Sequence, residues 1–251
     1  MMTDKIAVVT GTSSGIGAAL ARRLLADGWT VAGLARREVD LDHDHYQHMV
    51  LDLGNLHALQ TLAEKRLAAL LREPRWQRVG LVNNAALGGT KRGIEETDPE
   101  GLAWLLSVNT VAPVYLMGLA ARVVPAGTPL RIVNVSSGAA VRAFPGLGDY
   151  CASKAALRMA GMALAEELQS ELRPGGRRRD AAVFSYEPGV VDTPMQTRAR
   201  SGTAEESPWS QPFRDFKAQG LLEKPEDVIG PVVEFLSGGF DSVFVEKRFG
   251  G

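Results

Sequence analysis

The chain has 251 residues, 45% hydrophobic, 23% charged and 6% aromatic, which excludes a disordered or fibrous protein and permits one globular α/β domain. Lys and Arg number 28 against 29 Asp and Glu, a net charge of -1, so no global field recruits nucleic acid or an anionic membrane. The one cysteine, Cys151, excludes an intrachain disulfide, and with four scattered His it offers no metal-ligand spacing.

The N-terminal run KIAVVTG is too short for a membrane span or a signal-peptide core, and the default expectation is a cytoplasmic protein. Further strand-length apolar runs follow at 30–36, 48–53, 78–85, 130–137 and 181–189, with a final edge strand in SVFVEKRF. They are continuous rather than alternating, which implies burial on both faces of a parallel sheet. Helical periodicities occupy 15–28, 56–73, 99–124 and 152–172, with Gly28 at a C-cap position, Pro99 in a first turn, and another helix expected from Pro225. The βαβα alternation predicts a Rossmann-like, doubly wound parallel sheet in a three-layer α/β/α sandwich. No linker divides it, so residues 1–251 are expected to form a single catalytic domain. The basic run RPGGRRRD at 173–180 reads as a solvated turn, and the irregular stretch 192–222 as a lid over a binding site.

Between the first strand and the first helix stands TGTSSGIG, Thr10 to Gly17. Here a parallel sheet presents unpaired helix N–H groups and a favourable dipole to a phosphate. Gly11 suits the tight turn, Gly15 the approach of a pyrophosphate and Gly17 close helix packing, with Ser13, Ser14 and Ile16 completing the turn. The second strand ends Ala35, Arg36, Arg37, with no acid before Glu38. Guanidinium groups match a 2′-phosphate, so the expected cofactor is NADPH/NADP+; the alternative is that both arginines are plain surface charge. Asp52 and Leu53 follow the third strand and Asn83, Asn84, Ala85 and Ala86 the fourth, at the strand ends where such sheets bind ligands.

A tyrosine and a lysine four residues apart in YCASKAAL, Tyr150 and Lys154, lie on one helix face. A free phenol has a pKa of about 10, and a nearby ammonium is expected to lower it towards the working range of a proton donor. Cys151 beside it is expected to be a small buried hydrophobe.

These motifs, TGTSSGIG, NNAA, Asn109 in SVNT, IVNVSS, YCASK and PGVVDT, in this order over nearly the whole chain, resemble the short-chain dehydrogenase/reductase family. The resemblance implies a catalytic tetrad of Asn109, Ser137, Tyr150 and Lys154. Ser137 is chosen over the adjacent Ser136 because it precedes Tyr150 by thirteen residues. Lys154 would also bind the nicotinamide ribose, Asn109 would hold a water linking Lys154 to solvent, and Pro188, Gly189, Val191 and Thr193 would meet the carboxamide. No metal is implied.

The segment YEPGVVDTPMQTRAR and the C-terminal organisation resemble the sepiapterin reductase and bacterial benzil reductase branch, which implies NADPH-dependent reduction of a small-molecule ketone or diketone. An acidic anchor near the chain end, Asp241 or Glu246, has no clean match to that of the pterin-reading relatives. Leu87, Phe144, Met195, Trp209, Phe213 and Phe216 are the expected pocket wall, an apolar lining suited to a hydrophobic carbonyl compound. The resemblance implies a homo-oligomer, dimer or tetramer, packed through the helices at 102–120 and 152–168. The alternative to the enzyme is a catalytically idle NADPH-binding sensor or scaffold.

Overall fold

The computed structural model describes residues 4–90, 92–170, 180–201 and 210–250. Strands β1 (Lys5–Thr10), β2 (Thr30–Ala35), β3 (Tyr46–Val50), β4 (Arg78–Asn83), β5 (Leu130–Val135), β6 (Ala181–Glu187) and β7 (Phe244–Arg248) form one parallel sheet in the order β3-β2-β1-β4-β5-β6-β7. Helix α1 (Gly15–Ala26) follows β1. Helices α2 (Leu56–Leu62) and α3 (Ala68–Leu71) are joined by a π-turn, as are α4 (Pro99–Leu106) and α5 (Ala112–Val123). After them come α6 (Gly148–Gln169), α7 (Pro194–Arg200), α8 (Ser210–Ala218) and α9 (Gly230–Ser237).

The sheet separates two apolar layers. One packs Leu20, Leu24, Trp29 and Phe235, from α1, α9 and their margins, against alternate residues of the central strands. The other packs Leu59, Leu67, Leu116, Leu157 and Leu168, from the helices on the opposite face, against the remaining ones. Pro99–Val123 is long and apolar enough to cross a membrane. It lies against the sheet instead, where Leu116, Met117 and Leu119 are buried at about 1.5–3 kcal/mol each.

Three boundaries differ from the sequence reading. The third strand begins at Tyr46 rather than 48 and stops at Val50, leaving Leu51 to Leu53 in the connection, because an edge strand needs no continuous apolar run. The active-region helix starts at Gly148, so Tyr150 lies inside its first turn. The last helix starts at Gly230, not Pro225; Ile229 caps it and Pro231 fills the first turn. The stretch 192–222 contains α7 and α8 and is pinned at its base by a parallel bridge, with Glu223 N donating to Val190 O (2.9 Å) and Asp192 N to Glu223 O (2.8 Å).

Candidate active site

Strand order reverses between β1 and β4, and the two motif-bearing loops leave the carboxyl ends of these neighbours. Thr10 Oγ1 ties them together: it accepts from Asn84 N (2.9 Å) and Ala85 N (3.0 Å), while Asn84 Nδ2 donates to Thr10 O (2.8 Å). Gly11 takes φ +78°, and a Cβ on Gly17 would collide with Gly11 O and Asn84 Nδ2. Only glycine fits either place, and the close approach brings the loop to the first turn of α1, whose N–H groups suit a dinucleotide phosphate.

Arg36 and Arg37 are both exposed, and Arg37 Nη2 reaches Ser13 Oγ (3.2 Å) and Ser14 Oγ (3.3 Å), placing its guanidinium over this turn. Asp52 Oδ1 accepts from Gly54 N (2.9 Å) in an Asx-turn, and Leu53 is buried in the core, so only its backbone faces the crevice. Thr193 caps α7, with Oγ1 accepting from Gln196 N, and its methyl would lie 2.9 Å from a Cβ on Gly15. The segment after Pro188 and Gly189 therefore sits directly on the glycine-rich turn. Because Val190 and Asp192 supply the bridge to Glu223, the N–H and C=O of Val191 point the other way.

The tyrosine cluster lies beyond. Tyr150 is half-buried and its phenol is hydrogen-bonded to Ser137, while the backbone amide of the adjacent Ser136 donates to Tyr186 O (2.7 Å). Burial pushes the phenol up to about 12, with the Ser137 bond pulling the other way. Burial likewise pulls Lys154 down to about 8; its Nζ donates to Val135 O (2.8 Å) and stands 5.7 Å from the Tyr150 ring centroid. The expectation that the ammonium lowers the phenol is thus corrected: in this arrangement desolvation dominates.

Asn109 is buried in the π-turn Ser107–Val111. Its side chain is fully occupied, accepting from Leu87 N (2.7 Å) and donating to Leu87 O (2.9 Å) and Ser153 Oγ (3.1 Å). The residue four positions on is Pro113, which has no N–H to offer the Asn109 carbonyl.

Among the expected pocket residues, Leu87 is at the site and Met195 approaches it, its Cγ 3.8 Å from a Cβ on Gly88. Phe144 is 40% exposed and lies under the Arg142 guanidinium (5.9 Å). Phe213 and Phe216 face each other on α8, 6.5 Å between centroids. Trp209 lies outside the described residues, as does most of the 173–180 run. Asp180 of that run, itself exposed, pairs with buried Arg131 (2.8 Å). Glu246 is clamped by Arg158 in two bonds of 2.6 and 2.8 Å, which hold its carboxyl below the usual range. Cys151 is half-buried rather than fully buried, its Sγ 3.7 Å from Arg142 O.

Two residues escaped the sequence reading. Tyr46 shares hydrogen bonds with Thr12 Oγ1 (3.0 Å) and His48 Nδ1 (3.2 Å), bracing the glycine-rich turn across Gly33, where a Cβ would strike the phenol. Asp149, next to Tyr150, accepts from Thr90 N (2.9 Å). Neither belongs to a motif, and both act through contacts made only on folding.

Residues 5–204 match the short chain dehydrogenase family model. The chain is 29% identical over 236 residues to a benzil reductase of Bacillus subtilis, covering 94% of each. It is 30% identical over 249 residues to a diacetyl reductase of Staphylococcus aureus, covering 95% of this chain and 92% of that one. A short chain dehydrogenase/reductase of Saccharomyces cerevisiae superposes with TM-score 0.79 at 27% identity over 96% of this chain and 95% of that one. A nicotinamide dinucleotide fits the glycine cradle and the strand-end residues around it. The chain belongs to the short-chain dehydrogenase/reductase family, on its benzil reductase-like branch, and is an oxidoreductase.

Proposed function

We propose that the protein is an NADPH-dependent carbonyl reductase acting on small ketones or vicinal diketones. The observation that carries this reading is the phenol of Tyr150, buried, hydrogen-bonded to Ser137 and beside Lys154 at the end of the crevice. A phenol held near 12 is fully protonated at neutral pH, the form a reductase needs for a proton donor. A sensor or scaffold gives no reason to desolvate both groups.

A bound reduced nicotinamide supplies a hydride to the carbonyl carbon. Ser137 donates a hydrogen bond to the carbonyl oxygen, orienting and polarising it. Tyr150 gives its proton to that oxygen as the alcohol forms, and the resulting phenolate recovers one through Lys154, whose lowered pKa suits it to transfer. The Asn109 carbonyl would hold the water that returns the proton from solvent.

The dinucleotide would be held by Gly11, Gly15, Ile16 and Gly17 at the pyrophosphate, by the backbone near Asp52, Leu53, Ala85 and Ala86 at the adenosine end, and by Lys154, Pro188, Gly189, Val191 and Thr193 at the nicotinamide end. Preference for NADPH rests on Arg37, whose guanidinium with Ser13 and Ser14 offers a 2′-phosphate several donors at once. The chain would act as one catalytic domain, with 192–222 as its lid. It would work as a homodimer in which the exposed Val111, Val114 and Met159 of the central helices are covered.

Tyr150→Phe tests the mechanism. It should bind NADPH as the wild type does, by fluorescence titration, and lose carbonyl reduction by about a hundredfold or more; wild-type turnover in this variant would remove the assignment.

A further inference from the structure

We propose that Asp149 is a positioning residue that determines which carbonyl compounds reach Tyr150, by strapping the 87–90 loop to the head of α6. The proposal rests on Tyr150 being the proton donor.

The two oxygens of the Asp149 carboxylate serve different parts of the chain. Oδ1 accepts from Tyr150 N (2.7 Å), one of the amides that a helix start leaves without a partner. Oδ2 accepts from Thr90 N (2.9 Å), on a loop 59 positions away. The other end of that loop is gripped by Asn109, which bonds both N and O of Leu87 at 2.7 and 2.9 Å. Leu87 to Thr90 is therefore fixed at both ends by side chains from the two helices that carry the proposed chemistry.

Between the grips lie Gly88 and Gly89. A Cβ on Gly89 would stand 2.5 Å from Asp149 Oδ1 and 3.1 Å from Tyr150 Cβ, so the bare backbone of the loop rests against the tyrosine. On Gly88 it would stand 3.8 Å from Met195 in α7. The loop is thus a wall shared by the tyrosine and the lid, and the Thr90–Asp149 bond sets its distance from the phenol. A wall held this close favours a compact substrate, which needs nearby surfaces to keep its carbonyl aligned, and crowds a bulky one.

If Asp149 only capped α6, its loss would lower stability and slow all substrates alike. As a strap, its loss lets the loop withdraw and changes selectivity. The full chain with NADPH is assayed on diacetyl and benzil, one small and one bulky vicinal diketone, as wild type, Asp149→Ala, Gly89→Ala and the double variant. The ratio of kcat/KM for benzil to that for diacetyl should rise by about fivefold or more in each single variant. NADPH affinity should stay within about twofold, and the double variant should add little, since both changes break one contact. Gly89→Ala keeps the Asp149 side chain but sets a Cβ 2.5 Å from its Oδ1, which forces loop and carboxylate apart, so it decides the matter alone if Asp149→Ala fails to fold. Turnover of both diketones with an unchanged ratio overturns the proposal and spares the Tyr150 reading; a wild type that reduces neither overturns both.

Discussion

Tyr150 and Lys154 are displaced by the same burial in opposite directions, the phenol up to about 12 and the ammonium down to about 8. Each favours its neutral form in the fold, and the consequence for stability depends on pH. Between about 8 and the ordinary lysine value of 10.5, the unfolded chain holds a proton at Lys154 that the folded chain has released, so stability rises with pH there. Above about 10 the unfolded tyrosine ionises while the folded one does not, and stability falls. Urea midpoints of wild type minus those of Lys154→Met should therefore climb from pH 8 to pH 10; a flat difference would show that Lys154 is not desolvated. Arg37→Ala should raise the KM for NADPH about tenfold or more and leave that for NADH nearly unchanged; equal effects would place the 2′-phosphate elsewhere. Motif residues at this scale were legible because the chemistry limits which side chain can serve. Their partners were not: nothing in YCASK shows that Lys154 turns to the Val135 carbonyl, or that the Asn109 amide is spent on Leu87.

Elements were legible where both faces of a strand are buried. β1, β2, β4, β5 and β6 fall within one or two residues of the apolar runs, since burial on both sides leaves no freedom in composition. β3, at the edge, mixes exposed and buried positions and its apolar run continues past the strand, which is why its start was misjudged. The first turn of α6 was hidden because Gly148, Asp149 and Tyr150 have no apolar period; that turn is fixed by contacts to other segments, including Thr90. Two hydrogen bonds likewise make Tyr46 part of the dinucleotide turn although it starts a strand that carries no motif. A side chain that braces a site from the neighbouring strand leaves no local pattern to read.

At the scale of the molecule, the sheet order and the two-layered core follow from the alternation of elements, whereas the outer face of the central helices carries the proposed dimer contact. Val111 (44% exposed), Val114 (38%) and Met159 (59%) are apolar residues facing outwards on long helices. Light scattering should give twice the chain mass, and Val111→Lys with Met159→Lys should give a single chain mass; a wild-type monomer at assay concentrations would refute the dimer. The bridge of Val191 to Glu223 does more than pin the base of the 192–222 segment. With its ends joined there, the intervening segment is a closed loop, and each doubling of such a loop costs only about 0.6 kcal/mol in closure entropy. The length of that segment therefore adds little to the cost of closing it. One scaffold can accept a longer or a shorter insert at this point at small entropic cost, so a family built on it is free to vary there while the sheet beneath stays the same.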